Sequence, residues 1–131
     1  MKTARLSTAT FMTLALAAAS IADAGAASLQ DGIYSAEQAD SGKAVFEQNC
    51  STCHNADFYK TVFQTWRGQP MAYLFEQIMS AMPADKPGAL LDNEYEDAMA
   101  YVLQMLGFPA GENRLQYYGG VMGDVNIEPA S

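Results

Sequence analysis

Two cysteines and one histidine are all the thiols and imidazoles that 131 residues contain. A structural zinc site wants four N or S ligands, so zinc is a poor fit for this chain. One histidine leaves no spare imidazole for a catalytic constellation, and no G-x-S-x-G occurs; the chain is not expected to be an enzyme. Basic residues are also scarce, 7 against 15 acidic, for a net charge of −8. That balance argues against nucleic acid or an anionic membrane as partner. The longest uncharged apolar stretch, Phe11 to Ala22, is well short of the ~20 residues a transmembrane helix needs. No segment alternates apolar and polar residues with a period of two, so strands are not indicated.

What is present is sharper. Cys50-Ser51-Thr52-Cys53-His54 reads C-x-x-C-H, the signature of covalent c-type haem attachment. Positions i, i+3 and i+4 share a helix face, so both thiols can form thioethers to the haem vinyl groups while His54 turns toward the iron. A thioredoxin-like dithiol is the competing reading, but no βαβ pattern surrounds the motif. Cysteine usage is complete, with neither thiol left for a disulfide. One haem c per chain is the expected cofactor.

The beginning of the chain agrees. Lys2 and Arg5 precede the apolar stretch, and A-x-A sites follow at Ala22-Asp23-Ala24 and Ala24-Gly25-Ala26. These are the three parts of a secretory signal peptide. The expected division is a signal peptide over 1–24, a flexible Gly/Ala-rich N-terminus over 25–34, the main domain over 35–110 and a C-terminal tail over 111–131. Cleavage removes Lys2, Arg5 and Asp23, leaving 107 residues, a net charge of −9 and no membrane anchor. One small domain of this size buries a modest core, so a flat apolar haem would be its central filler. The expected location is the periplasm.

Helical spacing recurs in three places. Ser35 resembles an N-cap with Gln38 completing a capping box, opening a helix over Ala36 to Asn49. Gly42 inside it costs about 1 kcal/mol relative to Ala, which predicts close approach of another helix. A second helix is predicted over Pro70 to Ala81, stopped by Pro83. The third runs from about Asn93 to Leu106 with Asp92 as cap, and acidic Glu94, Glu96 and Asp97 suit its positive end. The expected fold is all-α, a small cytochrome c fold with three main helices around the haem.

These residues resemble a class I cytochrome c. Gly42, Phe46 and Cys50 match the family's N-terminal helix, and Ala98-Met99-Ala100-Tyr101 matches the C-terminal helix that crosses it. Met82-Pro83 fits the family's Met-Pro ligand dipeptide, which implies Met82 as second iron ligand. The stretch from Met82 to Leu90, with Glu94-Tyr95 and Gly107 to Gly111, is similar to small periplasmic cytochromes that serve quinoprotein alcohol dehydrogenases. Two departures stand out. The Gly and Gly-Pro pair that many members carry after the proximal histidine, whose carbonyl accepts the imidazole N–H, are absent after His54. Met82 follows His54 by only 28 positions, so the intervening loops must be trimmed.

With one histidine, bis-histidine ligation within the chain is impossible, and the sixth position falls to a Met, a Lys or an open site, with Met82 foremost and Met79 the main other methionine. Met/His ligation raises the reduction potential relative to bis-histidine. The family often binds haem propionates through residues such as Trp66 and Arg67; a core indole and a surface guanidinium are the alternatives. The expected function is periplasmic electron transfer, with a dehydrogenase as donor and an oxidase or another cytochrome as acceptor. A tightly bound cytochrome subunit of a dehydrogenase complex and an open-site enzyme or gas-binding protein are the rival readings.

Overall fold

A computed structural model describes residues 27–130; the predicted signal peptide lies outside them. Four α-helices, α1 (Ala36–Asn49), α2 (Ala56–Thr65), α3 (Met71–Ala81) and α4 (Asp92–Met105), are accompanied by short 3-10 turns at Leu29–Asp31 and Val121–Gly123. The fold is all-α, as expected, with one more helix than the three anticipated.

Packing of α1 against α4 organises the rest. Gly42 on α1 abuts the backbone of Asp97 on α4, where a Cβ would lie 1.7 Å from the Asp97 carbonyl oxygen. The glycine is thus the point of closest approach, and its cost within a helix is offset by the packing it permits. Phe46 continues the contact, meeting Tyr101 of α4 edge-on with ring centroids 5.4 Å apart. Helix α4 buries an almost unbroken run, Tyr95 to Ala100 with Val102 and Leu103. The carboxylates in that run are satisfied: Asp97 pairs with Arg114, and Glu96 accepts the Tyr117 N–H at 2.8 Å.

The capping box predicted at Ser35 forms only in part. Its hydroxyl accepts the Gln38 N–H at 3.2 Å, but the Gln38 side chain turns inward. There it donates to the Leu115 carbonyl at 2.8 Å and accepts the Leu115 N–H at 2.6 Å. A long-range pair of bonds replaces the local one because Leu115 would otherwise bury two unpaired backbone groups.

The flexible N-terminus expected over 25–34 is corrected for its described part. Leu29 is 0% exposed, and Ile33 and Tyr34 are buried with it. Burying three large side chains outweighs the local Gly/Ala composition. The Tyr34 hydroxyl donates to the Phe108 carbonyl at 2.6 Å, and the Gly111 N–H donates to the Tyr34 carbonyl at 2.7 Å. Residues after Pro109 pack as well. Ile127 exchanges backbone bonds with Gly68 and Gln69, both at 2.9 Å, and Val125 accepts the Met71 N–H at 2.8 Å. The Ser28 hydroxyl donates to Glu128 at 2.6 Å, so the two ends of the described chain are tied together.

Candidate functional site

The C-terminus of α1 unwinds into the C-x-x-C-H motif without a break. The Cys50 carbonyl accepts the N–H groups of Cys53 at 3.1 Å and His54 at 3.0 Å, holding the three residues in a single turn. Both cysteines are free thiols, Cys50 half-buried and Cys53 exposed. Burial pushes the Cys50 thiol above its ordinary range.

This turn forms one wall of a cavity of about 510 Å³, inside the roughly 300–1,000 Å³ range of small-molecule and cofactor sites. Apolar groups dominate the lining: Phe46, Ile78, Leu90, Met99 and Val102, together with Met82 and Pro83 from the loop after α3. Met82 and Met99 are the two methionines in the lining. Met79 instead packs half-buried against the core, and Met71 and Met122 are fully buried within it.

Backbone bonds brace Met82 on both sides. Its N–H donates to the Ile78 carbonyl at 2.9 Å, closing the last turn of α3. Its own carbonyl accepts the Tyr95 hydroxyl at 2.6 Å and the Gly88 N–H at 3.2 Å. Tyr95 belongs to α4, so the helix that crosses the motif-bearing α1 also fixes the methionine's loop. The sequence shows Tyr95 only as part of the Glu94-Tyr95 resemblance, with no sign of its bond to the Met82 carbonyl.

His54 stacks on Phe58, with ring centroids 4.1 Å apart and planes 27° from parallel. Its Nδ1 is buried without a hydrogen-bond partner. Tyr59 meets the same imidazole edge-on and lines the cavity. Burial, with a smaller push from Cys50, raises the Tyr59 phenol well above its ordinary range, so it stays a neutral donor.

Trp66 and Arg67 are not brought to the cavity. Trp66 caps the end of α2 and packs half-buried against the core, while Arg67 is exposed. The unpredicted α2 separates them from the motif, and the following Gly68 and Gln69 bond to Ile127. The basic residue that does line the cavity is Lys86, which makes no ion pair among the described residues. No local pattern distinguished it in the sequence.

The residues present fit a haem c: two thiols and a histidine in one turn, an apolar cavity beside them, and a methionine in its lining. A family model described as cytochrome C oxidase, cbb3-type, subunit III matches residues 37–102, half of the chain. The chain belongs to that family. The match begins in α1, spans the motif, Met82 and Tyr95, and ends in α4. Membership makes the domain a cytochrome c of class I type and implies haem c as its cofactor. No curated protein and no solved structure matches the chain.

Proposed function

We propose that the chain is an exported, periplasmic electron carrier with one covalently bound haem c, held by Cys50 and Cys53 and ligated by His54 and Met82. The observation that carries this reading is the single cavity lined by Cys50, Cys53, His54 and Met82 together. When bound, haem supplies one-electron redox chemistry at its iron. The protein's contribution is positional. Cys50 and Cys53 would anchor the group to the end of α1, and His54 and the braced Met82 would be its two protein ligands. Apolar side chains from α1, α3 and α4 line the cavity and would limit water's access to the group, which favours the reduced state over what an aqueous site would give. Lys86 lines the cavity and would be a cation for a haem propionate, the role that the resemblance gives to Trp66 and Arg67.

A carrier of this kind would exchange electrons through weak docking, on an interface below about 1,200 Å². The partners in this reading are a periplasmic dehydrogenase as donor, with a quinoprotein enzyme suggested by the Met82 to Leu90 resemblance, and an oxidase or another cytochrome as acceptor. A second reading, a subunit of a stable redox complex, is favoured by one observation: the matching family is described as an oxidase subunit.

The test is extraction. Haem should stay with the denatured chain through acid-acetone treatment, and Cys50→Ala with Cys53→Ala should release it. Haem that extracts freely from the unmutated protein refutes covalent attachment.

A further inference from the structure

Helix α3 delivers Met82, whose N–H closes the last turn on the Ile78 carbonyl. What holds α3 itself is the far end of the chain. A helix start leaves four N–H groups without intrahelical partners, and at α3 no side chain caps them, because Pro70 stands at the cap. The Met71 N–H donates instead to the Val125 carbonyl at 2.8 Å, and Pro70 pairs with Asn126 in an antiparallel bridge. The turn before the helix is held by the same segment. The Gly68 N–H donates to the Ile127 carbonyl and the Ile127 N–H to the Gln69 carbonyl, both at 2.9 Å.

Side chains follow the backbone. Met71, Leu74 and Phe75 make the buried face of α3, and Met122, Val125 and Ile127 are buried in the same core. The Tyr117 ring lies 5.4 Å from that of Phe75, and its hydroxyl donates to Glu76. Residues 117–127 therefore accompany α3 from the preceding turn to Glu76. The family match ends at residue 102, so this segment lies beyond the matched residues. A helix rises about 1.5 Å per residue, which puts Met71 roughly 16 Å from Met82 along the axis. Rigid elements of this kind carry coupling between sites, and a tilt at one end of α3 moves the other.

We propose that Val125 and Ile127 are positioning residues for Met82: their segment fixes the N-terminal end of α3, and α3 in turn sets where Met82 lies in the cavity lining. This rests on the reading of Met82 as an iron ligand. Loosening the segment weakens the methionine alone, because Cys50, Cys53 and His54 belong to the turn at the end of α1. The coupling is reciprocal, so displacing Met82 loosens residues 125–127.

The experiment has two arms, both on the haem-loaded protein. In the first, imidazole is added to the unmutated ferric protein until it displaces Met82, and amide hydrogen exchange is followed by NMR. Exchange should quicken at Gly68, Met71 and Ile127 and stay unchanged at Leu115, whose N–H is held by Gln38 on α1. Quickening confined to residues 82–90, or quickening that includes Leu115, overturns the proposal. In the second, Val125→Ala and Ile127→Ala should lose part of the far-red Met-to-iron band and admit carbon monoxide to the ferrous form, with the haem still covalently bound. Ile127→Val should keep both properties near the unmutated ones. Ile33→Ala, which trims a buried side chain of the N-terminal segment, should lower Tm and leave the band intact. A band lost equally in Ile33→Ala, or kept whole in both tail variants, overturns the proposal. If the tail variants do not fold, the first arm decides. An unmutated ferric protein without the band refutes the ligand assignment and this proposal with it; a band that the tail variants leave untouched refutes only the role of the tail.

Discussion

Replacing Gly42 by Ala sets two effects of opposite sign against each other. Within a 14-residue helix, Gly→Ala should gain about 1 kcal/mol from backbone propensity. The new methyl carbon would lie 1.7 Å from the Asp97 carbonyl oxygen and 2.3 Å from the Asp97 carbonyl carbon. Those are backbone atoms of α4 and cannot rotate away, so the helices must separate by roughly 1 Å or more to reach a tolerable contact. Overpacking costs about 1–3 kcal/mol and occasionally more. A backbone clash belongs at the top of that range, so the net effect is a loss of about 2 kcal/mol or more. For a domain near 100 residues this lowers Tm by roughly 8–16 °C. Guanidinium unfolding of the haem-loaded protein, followed by circular dichroism, measures it. The same separation moves the Cys50–His54 turn relative to Tyr95, so Met82 ligation should weaken in parallel. A variant as stable as the unmutated protein would show that propensity prevails and that α1 and α4 are not in backbone contact at Gly42.

Tyr95→Phe removes the hydroxyl donated to the Met82 carbonyl and leaves the Gly88 N–H in place. At about 1 kcal/mol for one such bond, exogenous imidazole should displace Met82 about fivefold more readily; an unchanged imidazole affinity contradicts the bracing role. Gln38→Ala strands the Leu115 N–H and carbonyl, both now served by one side chain. Each unpaired group costs about 1–3 kcal/mol, which a urea titration should register and Gln38→Leu should not rescue.

The parts legible in the sequence were those with local signals. Helix α1 has the bounds its periodicity predicts, α3 and α4 begin within a residue of theirs, and the packing reason inferred for Gly42 is its contact with Asp97. Helix α2 carries a signal that was overlooked: Asn55 as N-cap, then Tyr59, Val62, Phe63 and Trp66 at i, i+3, i+4 and i+7. The terminal segments offered no such pattern. Their order comes from pairings across the chain, Ser28 with Glu128 and Gly68 with Ile127, which no window of neighbouring residues contains. The place of Lys86 in the cavity lining was hidden for the same reason. Trp66 and Arg67 look like propionate ligands in isolation, whereas the position of Lys86 depends on how the Met82 loop folds back over the site.

The central claim is a haem c in this cavity with His54 and Met82 on the iron, and the far-red optical spectrum of the purified ferric protein tests it most directly. The account predicts the weak charge-transfer band of Met-ligated iron, its loss in Met82→Ala, its retention in Met79→Ala, and a ferrous form that resists carbon monoxide. A ferric protein without that band, whose ferrous form binds carbon monoxide rapidly, would contradict the account and leave an open iron site in its place.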